Sequence, residues 1–208
     1  MAYEYLRTLI TPSVAQAQER LGSRTAIARM VEAVDAGGEL GPAEAAYVAT
    51  RDSFYLATVG ETGWPYVQHR GGPAGFLRVL DGRTLAWADV RGNRQYVSTG
   101  NLAASPRASL MLMDYARQRR LKVLGTIDVV DPATDPDLLA AVTVPGWDAT
   151  SAQVVQVMRL RVEAFDWNCP QHITPRWTAE ELEPALEPLH DEIDRLRAEN
   201  ERLRALVG

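Results

Sequence analysis

The chain has 208 residues, 46% hydrophobic and 24% charged, with a formal net charge of -5 from 22 Lys+Arg against 27 Asp+Glu. This composition suits a globular protein with one core of ordinary size and room for an appendage. A single cysteine, Cys169, excludes an intrachain disulfide framework; no apolar run reaches the roughly 18–20 residues of a membrane span, and the mild acidity argues against general nucleic-acid binding.

Residues 1–11 carry Glu4 and no apolar signal core, so the expected location is the cytoplasm. Residues 1–50 are rich in Ala, Glu and Arg and read as a helical segment. Thr11-Pro12-Ser13 starts a helix that Gly22 ends. A second helix covers Ser23 to Ala36 and closes at Gly37-Gly38. A third starts at Gly41-Pro42, with proline in its first turn, and runs to Thr50.

From residue 51 to 177 the pattern changes to short runs of Val, Leu, Thr and aromatic residues separated by Gly, Pro and Asp. The predicted strands are Phe54 to Val59, Tyr66 to Arg70, Phe76 to Leu80, Thr84 to Ala88, Ala108 to Met113, Leu121 to Val130 and Val154 to Phe165. Asp81-Gly82-Arg83 makes the third and fourth a hairpin. Helices interrupt them only near Arg94 to Ala103 and after Asp135-Pro136. The fold class is therefore mainly β with helices (α+β), with a largely antiparallel sheet able to close as a barrel.

Residues 178–208 form a separate element. Leu189, Ile193, Leu196, Asn200, Leu203 and Val207 are spaced 4, 3, 4, 3, 4, an a/d heptad seam with one asparagine at an a position. Glu192 and Glu199 fall at g, Arg197 and Arg204 at e. A helix from Pro188 to Val207 is about 30 Å long at 1.5 Å per residue. Two readings are open: a coiled-coil dimerisation helix, or a lone amphipathic helix lying on its own barrel.

Much chemistry is excluded by motif. There is no phosphate loop ending in Gly-Lys-Ser/Thr, no GxGxxG, no HExxH, no CxxC and no GxSxG. The histidines are His69, His172 and His190, and a zinc site from Cys169 and His172 lacks two further ligands. Three segments remain. Gln68-His69-Arg70 runs into Gly71-Gly72-Pro73, where missing side chains let a flat ligand approach the backbone. Ala88-Asp89-Val90-Arg91-Gly92-Asn93-Arg94-Gln95 ends a strand and opens a helix, which offers free N–H groups and cations to a phosphate. Arg117, Arg119, Arg120 and Lys122 enter a long strand, where they either serve a phosphate or protect a sheet edge.

The ordered set Phe54-Tyr55-Leu56-Ala57-Thr58-Val59, Gly63-Trp64-Pro65, Gly92-Asn93-Arg94-Gln95, Asn101-Leu102, Ser105-Pro106-Arg107 and Arg119-Arg120-Leu121-Lys122-Val123-Leu124-Gly125 resembles the pyridoxamine 5′-phosphate oxidase-like family, FMN-binding split β-barrels. Asp166-Trp167-Asn168-Cys169-Pro170-Gln171-His172-Ile173 is similar to a signature of an uncharacterised flavin-nucleotide-binding branch. The resemblance implies a homodimer with FMN in the subunit interface. It also implies cofactor contacts from Gln68, His69, Arg70, Gly71 and Gly72, from Ala88 and Asp89, from Asn93, Arg94 and Gln95, from Gln118 or Arg119, and from Trp167 and Arg176. Three positions depart from the family pattern. Gln68 replaces a phosphate-side arginine, Gln95 the second cation of the helix pair, and Pro73 the lysine that meets the vitamin substrate's phosphate. FMN binding is expected with Arg70, Arg91 or Arg94 compensating; FAD or a deazaflavin is the alternative cofactor, and haem held by His69 or His172 a third.

The expected activity is that of a flavin-dependent oxidoreductase acting on a small molecule other than pyridoxamine 5′-phosphate, with NAD(P)H as an electron source. His69 is the candidate catalytic acid or base. The alternative is a flavin-binding redox sensor or interaction module without turnover. Cys169 reads either as a small buried residue or as a thiol near the flavin.

Overall fold

The strand-forming runs between Ser53 and Trp167 build an antiparallel sheet. The computed structural model describes residues 2–32, 38–144, 154–167 and 171–207. The readings that involve residues 33–37 and residues 168–170, Cys169 among them, lie outside the described residues. The strands are β1 (Ser53–Val59), β2 (Pro65–Gly71), β3 (Arg78–Asp81), β4 (Thr84–Val90), β5 (Arg107–Asp114), β6 (Arg119–Val130) and β7 (Val154–Trp167). Their order is β2-β1-β5-β6-β7-β4-β3, with every pair antiparallel. Each predicted strand is present. Phe76 and Leu77, predicted as strand, enter the core from a turn closed by the Phe76 N–H donating to the Pro73 carbonyl at 2.9 Å.

The inward faces follow the two-residue period. Phe54 and Leu56 of β1, Leu110 and Leu112 of β5, and Leu121, Val123 and Ile127 of β6 are buried in one cluster with Trp87, Met158, Leu160 and Phe165, and Thr58 is buried beside Asn101, whose amide donates to its hydroxyl. Burying a side chain of this size contributes about 1.5–3 kcal/mol. The Phe54 ring lies 5.6 Å from Phe76 and 5.1 Å from Trp87, which brings β1 across to β4 through the interior. The sheet thus curls on itself, while its two edge strands, β2 and β3, keep no backbone ladder to each other. This is a split barrel.

A bulge between Leu124 and Gly125 bends β6 against β7. A Cβ on Gly125 would stand 2.3 Å from the Arg161 carbonyl oxygen, so the close approach of the two strands needs glycine there. β6 lies between β5 and β7, so its cations guard no sheet edge. Instead Lys122 pairs with Asp166 at 2.5 Å and lies 4.6 Å from the Tyr5 ring.

A helix that carries no cap signal, α1 (Ala2–Leu9), precedes the predicted ones and packs on β7, burying Tyr5. Thr11 caps α2 (Pro12–Arg20) by accepting from the Val14 N–H at 3.3 Å. Neither α2 nor α3 (Arg24–Glu32) has a buried residue. α4 (Pro42–Ala49) buries Glu44, Tyr47 and Val48. α5 (Val97–Ala104) follows β4, and α6 (Pro136–Val142), capped by Asp135, covers Ala86, Ala88 and Val157.

The chain divides into two compact units, Met1–Asp114 with Arg119–Pro170, and Tyr115–Gln118 with Gln171–Gly208. The second contains α7 (Ala179–Val207), whose first residue lies nine positions before the start predicted at Pro188. Both Pro184 and Pro188 are accommodated inside it. Among the described residues, no helix is long and apolar enough to cross a membrane.

Candidate functional site

The point where β4 leaves the sheet and α5 begins collects most of the polar groups singled out above. A cavity of about 40 Å³ there is lined by Gln68 and Arg70 of β2, Asp89 of β4, the loop 92–96 and the first turn of α5. Gln68 and Arg70 share one face of β2 because they are two residues apart. Asp89 is buried and pairs with Arg70. The Gln156 side chain donates to Asp89 Oδ2 and to Thr99 Oγ1, each at 2.8 Å, and Ser98 Oγ donates to Gln68 Oε1 at 2.8 Å. These bonds span the gap that the backbone ladders leave between β2 and β4.

The loop itself is strained in a useful way. Arg94 and Tyr96 both have positive φ, 62° and 51°, a conformation costly for residues other than glycine. Asn93 Oδ1 accepts from the Gln95 N–H at 3.1 Å and fixes the turn. The predicted helix start at Arg94 is therefore displaced to Val97: left-handed residues cannot continue a helix. Tyr96 stands at the N-cap without a side-chain bond, so the first N–H groups of α5, in residues that line the cavity, have no side-chain cap. Arg70 Nε is buried with no hydrogen-bond partner. Uncapped amides, a buried unpaired guanidinium N–H and the cation of Arg94 form a donor set for an anion.

A second cluster sits where α4 meets β6 and β7. Trp167 Nε1 donates to Glu44 Oε1 at 2.8 Å, and the Arg119 guanidinium stacks 4.5 Å from the Trp167 ring and 5.3 Å from the Tyr47 ring. Tyr47 donates to the carbonyls of Leu112 and Arg119, each at 3.2 Å. Burial pushes its phenol up to about 12; Arg51 opposes the rise, Asp114 adds to it, and Arg119 opposes it. Asp114, the last inward residue of β5, is paired with Arg51 at 3.1 Å. A larger groove, about 430 Å³ over β1, β5 and β6, has a mainly small and apolar lining.

Residues 40–166, more than half of the chain, match the sequence profile of the family described as pyridoxamine 5′-phosphate oxidase. The chain belongs to this family. Three solved structures resemble it. A candidate pyridoxamine 5′-phosphate oxidase from Lactobacillus delbrueckii is 21% identical, over 62% of this chain and 95% of its own, with a TM-score of 0.47. A conserved hypothetical protein from Mycobacterium tuberculosis is 20% identical, over 70% of this chain and 96% of its own, with a TM-score of 0.47. An F420 reductase is 24% identical, over 57% of this chain and 93% of its own, with a TM-score of 0.40. No curated protein matches the chain.

The pyridoxamine 5′-phosphate oxidase family includes oxidoreductases and typically binds flavins, and the cavity residues fit the phosphate end of such a cofactor. Buried Arg70 Nε lacks an acceptor, and the α5 amides lack a cap. Of the residues that the resemblance implies, Gln68, Arg70, Asp89, Asn93, Arg94 and Gln95 line this one cavity. Ala88 points the other way, beneath α6. His69 is exposed on the opposite face of β2, its ring 5.7 Å from Tyr55 of β1. Gly72 lacks a side chain because Phe76 Cγ would lie 2.8 Å from its Cβ; Gly71 is similarly close to His69. Arg91 does not line the cavity, and neither do Arg119 and Trp167, which form the second cluster. In the second unit, Gln118 donates to the Ile173 carbonyl at 2.7 Å, and Arg176 lies 5.2 Å from the Tyr115 ring. Ser98, Thr99 and Gln156 are cavity-region residues that sequence reading missed. The only available signal is that a buried Asp89 demands partners.

Among the described residues, no group of three or more His, Cys, Asp or Glu is arranged to hold a metal ion.

Proposed function

We propose that this chain binds FMN and serves as a flavin-dependent oxidoreductase for a small molecule other than pyridoxamine 5′-phosphate. The observation that carries the reading is the anion cradle between β2, β4 and α5: uncapped helix amides, Arg94, and the unpartnered Nε of Arg70. In this reading Arg94 and the amides of residues 97–99 hold the cofactor phosphate. Gln68 takes the place of a family arginine and is tied to Ser98. Asp89 keeps Arg70 oriented while neutralising part of its charge. The flavin supplies hydride and electron transfer; the protein supplies orientation and exclusion of water. The substrate restriction rests on Pro73, which stands where the family's substrate-phosphate lysine would be.

The site is completed by a second copy of the chain. Arg119 and Trp167 match family cofactor positions, yet they lie outside the cavity of their own chain. A homodimer would let those groups reach the partner's flavin. His69, exposed on the far face of β2, would then meet substrate or the partner rather than its own phosphate cradle.

The test is a titration of the full-length protein with FMN, read by quenching of flavin fluorescence. A charge-assisted hydrogen bond contributes about 1.5–3 kcal/mol, so Arg94→Ala should weaken binding about 10- to 100-fold. Arg83→Ala, which removes an exposed pair with Glu39, should leave it unchanged. Failure to bind FMN, or equal affinity in both variants, would overturn the assignment. Reduction of bound FMN by NADH or NADPH, with reoxidation by an acceptor, then separates an enzyme from a sensor. The sensor reading is favoured by one feature: the carboxylate lining the cavity, Asp89, is already engaged by Arg70 and Gln156.

A further inference from the structure

We propose that α7 pairs with α7 of a second copy as a parallel, in-register two-stranded coil. This inference rests on the helix alone and not on flavin binding. The helix extends to Ala179, which adds a heptad to the seam. Leu182, Leu189, Leu196 and Leu203 occupy d; Leu186, Ile193 and Asn200 occupy a. The apolar residues of this row are all 39–58% exposed in the single chain. Such a row of large apolar side chains along one helix face is an unpartnered surface.

Three observations select the occupant and its direction. First, the flanks are complementary only in one orientation. In a parallel pair, Glu192 and Glu199 at g face Arg197 and Arg204 at e of the partner helix. In an antiparallel pair, g faces g and e faces e, setting glutamate against glutamate and arginine against arginine. Second, Asn200 meets Asn200 of the other copy only in a parallel, in-register pair, where the two amides satisfy each other; an antiparallel pair buries it against a leucine. Third, Ile193, Leu196, Arg197 and Asn200 border a groove on the helix. Those are positions a, d, e and the next a, the four-residue hole that takes a d-position leucine from a parallel partner.

The two prolines fit the same geometry. Counting from Asn200 at a, Pro184 falls at f and Pro188 at c, both on the outer side. Neither proline ring therefore occupies an a, d, e or g position, and the seam is free of them. Arg195, at an outer c position, bonds Glu192 at 2.7 Å and approaches Glu199 at 3.8 Å, holding both carboxylates at the edge of the seam. The Arg195 bond lowers the pKa of Glu192, so the acidic flank stays charged.

Cysteine cross-linking of the full chain tests the proposal, in a Cys169→Ser background. Leu203→Cys places a thiol at a d position near the end of the helix. Ala205→Cys places one at f, on the outside. Under mild oxidation Leu203→Cys should form the covalent dimer at least tenfold faster than Ala205→Cys. Adding Leu196→Glu should remove that advantage. Equal rates for the two thiols would overturn the pairing, whether the chain is monomeric or dimerises elsewhere. Preferential cross-linking of Leu203→Cys to a Leu182→Cys chain, in a mixture of the two, would overturn the parallel direction. Neither readout depends on flavin, so a colourless protein that still cross-links at residue 203 refutes the functional reading alone.

Discussion

Tyr47 shows how one side chain ties an appended helix to the sheet. Its hydroxyl reaches the carbonyls of Leu112 and Arg119 on adjacent strands, and its ring meets Trp167 edge-on at 4.7 Å. Tyr47→Phe keeps the ring and removes both bonds, for a cost of about 1–2 kcal/mol near neutral pH. Because burial raises the phenol from 10 to about 12, the folded state favours the neutral form. That contribution is complete below pH 10 and is lost as pH rises through about 12. Denaturant midpoints of the two proteins should therefore differ at pH 7 and converge by pH 11; a constant difference would show that the hydroxyl is not held as described. Asp89 illustrates the opposite case, a buried carboxylate whose partners, Arg70 and Gln156, arrive from two other strands, with Thr99 of α5 holding Gln156 in turn. No local pattern links residue 89 to Gln156 or Thr99, which is why those two escaped sequence reading. Sequence reading grouped His69 with Gln68 and Arg70, but the strand alternation puts it on the opposite, exposed face of β2.

At the scale of elements, the strands were legible as short runs of Val, Leu, Thr and aromatic residues bounded by Gly, Pro and Asp. Which face turns inward showed only in the structure: Phe54, Leu56 and Thr58 of β1 are buried, while the equally apolar Tyr55, Ala57 and Val59 are not. Helices with caps were legible for the same local reason, Thr11-Pro12 and Asp135-Pro136 being the examples. α1 has no such punctuation and is held by Tyr5 against β7, a contact invisible in the local sequence. The start of α5 was hidden by two left-handed residues that are not glycine. α7 runs through both prolines, where the sequence placed its start at the second of them. Glycines test this account of the elements directly. Gly125→Ala forces a Cβ against the Arg161 carbonyl at the bulge and should destabilise the fold by about 3 kcal/mol. Gly100→Ala, in α5 with open space around it, should stabilise by about 0.5–1 kcal/mol. Thermal unfolding of the two variants should move in opposite directions; a shared sign would refute the packing at the bulge.

For the whole molecule, the family match ends at residue 166 and begins at residue 40, so α1 to α3 and α7 lie beyond the matched part. The family's core therefore carries the cavity, while the proposed coil belongs to a unit of its own. The composition and the strand order made the core readable, but the proposed sharing of the site between two copies rests only on the resemblance. Arg119 and Trp167 sit together yet apart from Arg94, and no spacing along the chain announces such a separation.

The gap between β2 and β4 is bridged by side chains, Arg70 to Asp89 and Ser98 to Gln68, and not by a ladder. Its consequence concerns time as much as energy. Amides on the free edge of β2 have no neighbouring strand to release, so they can exchange with solvent through small local openings, whereas those of central β6 wait for openings of much higher free energy. Hydrogen–deuterium exchange should rank residues 66–71 well ahead of 121–127. An anion that engages Arg70 and the α5 amides should slow exchange in the first turn of α5 and leave β6 untouched. The same seam that lets the barrel stay open would then report, amide by amide, when the cradle is filled.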